Sequence, residues 1–109
     1  MQLEETIEEY FYHCMDKGFT PKIMKNKRQE IKQIKEFLQE KRGIRELESI
    51  SVHDLKAYIR LKQKSGLKLE GIVSMWKIIA AFFSWCEKKE YIKENIAKKW
   101  KHQRRLIRF

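Results

Sequence analysis

The sequence is short of breakers, thiols and strand patterns. One proline and four glycines in 109 residues leave few places to interrupt a helix. No stretch alternates apolar and polar residues with β-branched enrichment, so a sheet is not expected. There is no internal repeat and no low-complexity linker. Two cysteines, Cys14 and Cys86, are too few for a disulfide framework. They read as reduced core thiols. The histidines His13, His53 and His102 show no ligand spacing with either cysteine, so no metal and no cofactor is expected. No uninterrupted apolar run reaches membrane-spanning length, and the first ten residues are acidic, unlike a secretory signal. These absences point to a cytoplasmic protein with no membrane contact.

What is present is positive charge. Lys and Arg number 25 against 15 Asp and Glu, a net +10 with pI near 9.7. The hydrophobic share of 42% excludes a disordered polycation. Charge is unevenly placed. Residues 1–20 hold Glu4, Glu5, Glu8, Glu9 and Asp16 against Lys17, a net −4, so residues 21–109 carry +14. A basic body suggests a polyanion partner, and the acidic segment a protein contact.

The periodicity predicts an all-α fold, a compact bundle of four main helices plus a short C-terminal helix. Helix 1 spans about Gln2 to Lys17, with Leu3, Ile7, Tyr10, Phe11 and Cys14 on one face and Gly18 as its stop. Helix 2 starts at the cap Thr20 with Pro21 at its first position. Phe19 is expected to staple onto Met24. Met24, Ile31, Ile34, Phe37 and Leu38 face inward as far as Gly43, and Leu47 and Ile50 anchor the connection. Helix 3 starts at Ser51 with Asp54 completing a capping box, buries Leu55, Tyr58 and Ile59, and ends at Gly66. Helix 4 runs from Leu69 to about Lys89. Ile72, Trp76, Ile79, Phe83 and Cys86 form its inner stripe, widened by Val73, Met75, Ile78, Phe82 and Trp85. Trp76, Ile79, Phe82 and Phe83 are expected among the most buried residues. Glu70, Ser74, Lys77, Ala81, Ser84 and Lys88 form the outward line. A short fifth helix is expected after Tyr91, capped by Asn95 and anchored by Trp100.

In this order the signals resemble the core-binding, SAM-like domain of tyrosine recombinases, the phage integrase family. The residues that carry the resemblance are Phe19-Thr20-Pro21, Phe37-Leu38, the connection from Leu47 through Ile50 to Leu55, Tyr58-Ile59, Gly66-Leu67, Ala81-Phe82-Phe83-Ser84-Trp85 and Tyr91 through Asn95. The family's proline after that asparagine is Ile96 here. An arginine common before the paired aromatics is Ala80 or Ala81, and a threonine common at the front of the fourth helix is missing around Glu70-Gly71.

The resemblance implies a domain over residues 1–103 that clamps duplex DNA, with residues 104–109 opening a linker to a catalytic domain. It implies as partners double-stranded DNA, the catalytic domain of the same parent chain and other recombinase subunits. The acidic face of helix 1 would meet a neighbouring subunit or the catalytic domain. DNA-binding candidates are Lys22, Lys25, Asn26, Arg28 and Gln29 on helix 2, Lys68, Ser74 and Lys77 around helix 4, and Lys98, Lys99, Lys101, Arg104 and Arg105 in the tail. No catalytic residue is expected. His102-Gln103-Arg104-Arg105 has the family's H-x-x-R spacing, but a short motif without its context is weak. The rival reading is a helical protein-interaction module without a DNA role.

Overall fold

The computed structural model describes residues 1–93 together with Ile96 and Ala97. Four helices dominate: α1 (Leu3–Asp16), α2 (Pro21–Glu36), α3 (Val52–Lys64) and α4 (Leu69–Lys88). A π-helical turn, Phe37–Lys41, extends α2, and a 3-10 turn, Leu47–Ser49, precedes α3. No strand is present among the described residues beyond one isolated antiparallel bridge, Gln2 with Glu46. Ile96 and Ala97 are helical and Ala97 is buried. The expected cap Asn95 and anchor Trp100 lie outside the described residues. The chain divides into two compact units, Met1–Ile50 and a second beginning at Ser51.

In the first unit α1 packs on α2. Leu3, Ile7, Tyr10 and Cys14 meet a core to which α2 and its π turn supply Met24, Ile31, Ile34 and Leu38, with Leu47 and Ile50 buried as well. The i, i+4, i+7 spacing of these residues sets both faces. Thr20 caps α2 by accepting a hydrogen bond from the Ile23 N–H at 3.3 Å. Phe19, just before the cap, is largely at the surface. The residue is 41% exposed, and the Lys27 ammonium lies 5.1 Å from the centre of its ring. Phe37 is half-buried, because the π turn begins there and shifts the helical register.

Periodicity could not anticipate how this unit is strapped shut. The Leu3 N–H donates to the Arg45 carbonyl and the Leu47 N–H to the Met1 carbonyl, both at 2.9 Å. The Met1 ammonium contacts Glu46 at 3.1 Å and Glu48 at 2.9 Å. Its hydrogen bonds to these carboxylates, Glu48 first, raise the amine's pKa above its ordinary value, and the amine in turn lowers that of Glu48.

In the second unit the capping box forms as expected. Ser51 Oγ accepts from the Asp54 N–H, while the Asp54 carboxylate accepts from the Ser51 N–H at 2.8 Å and hydroxyl at 2.9 Å. Gly66, at φ 93°, turns the chain between α3 and α4 in a conformation that side-chain-bearing residues avoid. Cys14 on α1 and Cys86 on α4 are both buried, and neither forms a disulfide.

The inner face of α4 holds Ile72, Met75, Ile79, Phe82, Phe83, Trp85 and Cys86. Phe82 and Phe83 meet edge to face at 5.3 Å, and Trp85 meets Tyr91 at 5.7 Å. Two expectations fail on this helix. Trp76 and Ile78 are only half-buried, and Val73 is 38% exposed, so the buried arc is narrower than the apolar arc. The length of α4 is also notable. At 20 residues α4 is long and apolar enough by composition to cross a membrane, although its longest uninterrupted apolar run is the six residues from Ile78 to Phe83. Its residues also build a core, and Lys77 sits near its middle, where hydrocarbon would make a charge costly.

Candidate nucleic-acid interface

The apolar face of α2 determines where its polar side chains go. With Met24, Ile31 and Ile34 turned inward, Lys22, Lys25, Asn26, Gln29 and Lys32 fall on the opposite face, and all five are exposed. The first turn of α2 contains no acidic residue. Its unpaired backbone N–H groups and the helix dipole therefore add positive potential beside Lys22 and Lys25.

Arg28 lies at the flank of this face. Its residue is exposed, but the guanidinium sits 5.8 Å above the Phe11 ring and 3.7 Å from the Met15 sulfur. Lys27, one position away, points toward α1. Its ammonium donates to the Tyr10 hydroxyl at 3.2 Å and lies 5.5 Å from that ring's centre. Neighbouring cations on one helix thus have different work, and the spacing of the apolar residues separates them.

In the second unit Lys68 occupies the N-cap of α4 and is exposed. Ser74 and Lys77 follow on the outward line with Glu70, all exposed. Lys98, Lys99, Lys101, Arg104 and Arg105 lie outside the described residues, as does the H-x-x-R sequence at His102. The structure therefore groups the candidates as one set on α2 and one on α4.

Sequence reasoning passed over α3. His53, Lys56, Arg60 and Lys64 recur at i, i+3, i+7 and i+11, which is one helical line. His53, Arg60 and Lys64 are exposed and Lys56 half-buried. The only acid on this helix, Asp54, is buried in the capping box, so its exposed face carries no carboxylate. The signal was available in the sequence: once Ser51 and Asp54 fix the start of α3, the line of basic residues follows.

These faces offer ammonium, guanidinium and amide donors at helical spacing. Such donors bind phosphate oxygens, and Asn or Gln side chains also match base edges. Among the described residues no three His, Cys, Asp or Glu side chains come together to hold a metal ion.

No curated protein and no solved structure matches the chain. One family does: the phage integrase SAM-like domain, over residues 2–102. That match covers nearly the whole chain and takes in all four helices and the capped starts of α2 and α3, so the chain belongs to the phage integrase SAM-like domain family.

Proposed function

We propose that this chain is the DNA-clamping, core-binding part of a tyrosine recombinase, and that it supplies grip and not chemistry. The observation that carries the reading is the exposed cationic face of α2, Lys22, Lys25, Asn26, Gln29 and Lys32, set opposite the apolar face in a chain of net charge +10. Lys68, Ser74 and Lys77 form the second contact set. Lys98, Lys99, Lys101, Arg104 and Arg105 follow the phosphate backbone toward a catalytic domain of the same parent protein. The setting is the cytoplasm, the target is double-stranded DNA, and other recombinase subunits are neighbours on it. Long-range attraction from the basic body brings the duplex in, and phosphate contacts fix its orientation.

The test is titration of a labelled duplex over a salt series. Binding that weakens steeply with salt and discriminates little between sequences supports the reading. A second reading, a protein-interaction module without DNA, draws on the exposed acidic face of α1. Absence of binding to any duplex at low salt refutes the DNA reading and puts that one in front.

A further inference from the structure

The chain contains two cysteines and four methionines, and their sulfur atoms are placed very unequally. Cys14 and Cys86 are buried, as are Met24 and Met75, and Met1 is half-buried. Met15, in the last turn of α1, is the one exposed residue of the set, at 52%. Its sulfur sits 3.7 Å from a guanidinium nitrogen of Arg28 on α2. Phe11, one turn earlier on α1, lies under the same guanidinium, with its ring centre 5.8 Å away. Phe11 and Met15 share one side of α1, so together they form a seat for Arg28, with the sulfur as its accepting end. Among the described residues Arg28 forms no ion pair with a carboxylate.

A thioether is a weak acceptor, so this seat holds Arg28 loosely. One added oxygen changes that, because a sulfoxide is polar and its oxygen accepts a strong hydrogen bond from a cation. We propose that Met15 is a site of reversible oxidation by peroxides, and that its sulfoxide draws Arg28 away from the DNA-facing surface. The sulfur lone pair takes one oxygen atom from hydrogen peroxide. The S–O bond forms as the O–O bond breaks, water leaves, and sulfur gives up the electron pair that the peroxide gains. A thiol-dependent methionine sulfoxide reductase reverses the step and releases the oxygen as water. The oxygen enters at the surface, so no core packing is disturbed, whereas a sulfoxide at Met24 or Met75 would disturb it. The thiols do not compete for the peroxide, since Cys14 is 1% exposed and Cys86 0%. The effect on DNA rests on reading Arg28 as a phosphate contact, while the capture of Arg28 by the sulfoxide does not.

The experiment treats the full chain with dilute hydrogen peroxide and maps the added oxygen by peptide mass spectrometry. Met15 is expected to take it up first. Melting curves and duplex titrations follow for the native chain, Met15→Leu and Arg28→Ala, each before and after treatment. On melting, oxidation is expected to be better tolerated by the native chain than by Arg28→Ala, because only the native chain gains the sulfoxide–guanidinium bond. On titration, the oxidised native chain is expected to bind about two- to fivefold more weakly, as for the loss of one exposed charged contact. Methionine sulfoxide reductase should restore the affinity. Peroxide should leave the affinities of the two variants where they were, since Met15→Leu forms no sulfoxide and Arg28→Ala has no guanidinium to capture. Oxidation that reaches another methionine before Met15 overturns the inference. So does a melting response that is the same with and without Arg28, or DNA binding by the native chain that oxidation leaves unchanged. A native chain that binds no duplex refutes the DNA reading alone, and the melting curves still decide the capture of Arg28.

Discussion

Phe83 and Trp76 are both large aromatics on the apolar arc of α4, yet only Phe83 is buried. Phe83→Ala removes a ring packed edge to face on Phe82 and leaves a cavity, at a cost of about 3–5 kcal/mol. That is a large share of a small domain's stability. Chemical denaturation would measure it, and a loss below about 1 kcal/mol would mean that the site collapses without penalty. Ser51→Ala should cost about 1 kcal/mol, because it removes the acceptor for the Asp54 N–H and the donor to the Asp54 carboxylate. An unchanged melting temperature would show that the box is dispensable. Arg28 and Lys25 should also part company. Both are exposed, but Arg28 is engaged with Phe11 and Met15, so Arg28→Ala is expected to lower stability as well as DNA affinity. Lys25→Ala should lower affinity alone, which paired melting and binding curves would reveal.

Among the elements, the strap between the N-terminus and the segment from Arg45 to Glu48 has a definite pH signature. The Met1 amine has a raised pKa, so its contribution is fully present below its ordinary value and is lost as pH rises through the raised one. Glu48 has a lowered pKa, so its contribution is present above its ordinary value and is lost as pH falls through the lowered one. The stability gap between the native chain and Glu48→Gln should therefore be widest near neutrality and close at both extremes. The groups are exposed, so the gap is small and narrows with salt. A gap independent of pH would contradict the ion pair. Helix α1 belongs to the fold itself. Leu3, Ile7, Tyr10 and Cys14 lie in the core, so deleting residues 1–17 would damage the fold and not merely assembly. Point changes on its outward face are the informative ones.

For the whole molecule, charge sets the expected behaviour. The +14 carried from residue 21 onward predicts weak, salt-sensitive binding to duplex DNA. Each neutralised phosphate lowers log K against log salt by about 0.9, and roughly 4–6 contacts suit a domain of this size. Replacing Lys25 should weaken binding to all sequences alike, whereas replacing Asn26 or Lys77 should act unevenly if either reaches a base edge. Removing the chain from Lys98 onward should flatten the salt slope. A slope unchanged by that truncation would remove the tail from the interface.

Much of this was determined by the sequence alone. The 3.6-residue spacing of apolar side chains, Thr20 with Pro21, the Ser51–Asp54 box and Gly66 located four helices to within a residue or two, because these signals act over a single turn. Lys22, Lys25, Asn26 and Gln29 were reached through the family resemblance, and all four are exposed opposite the apolar face of α2. Tertiary structure decided the rest. Apolar periodicity reports which arc can be buried, but the width of the arc that is buried depends on which neighbours cover it, so Val73 and Trp76 were misjudged. The Gln2–Glu46 bridge pairs segments more than forty residues apart, and no local signal encodes such a pairing. The same holds for Lys27 and Arg28: the chain makes both cations, but only packing against the aromatics of α1 determines how far each remains available to a phosphate.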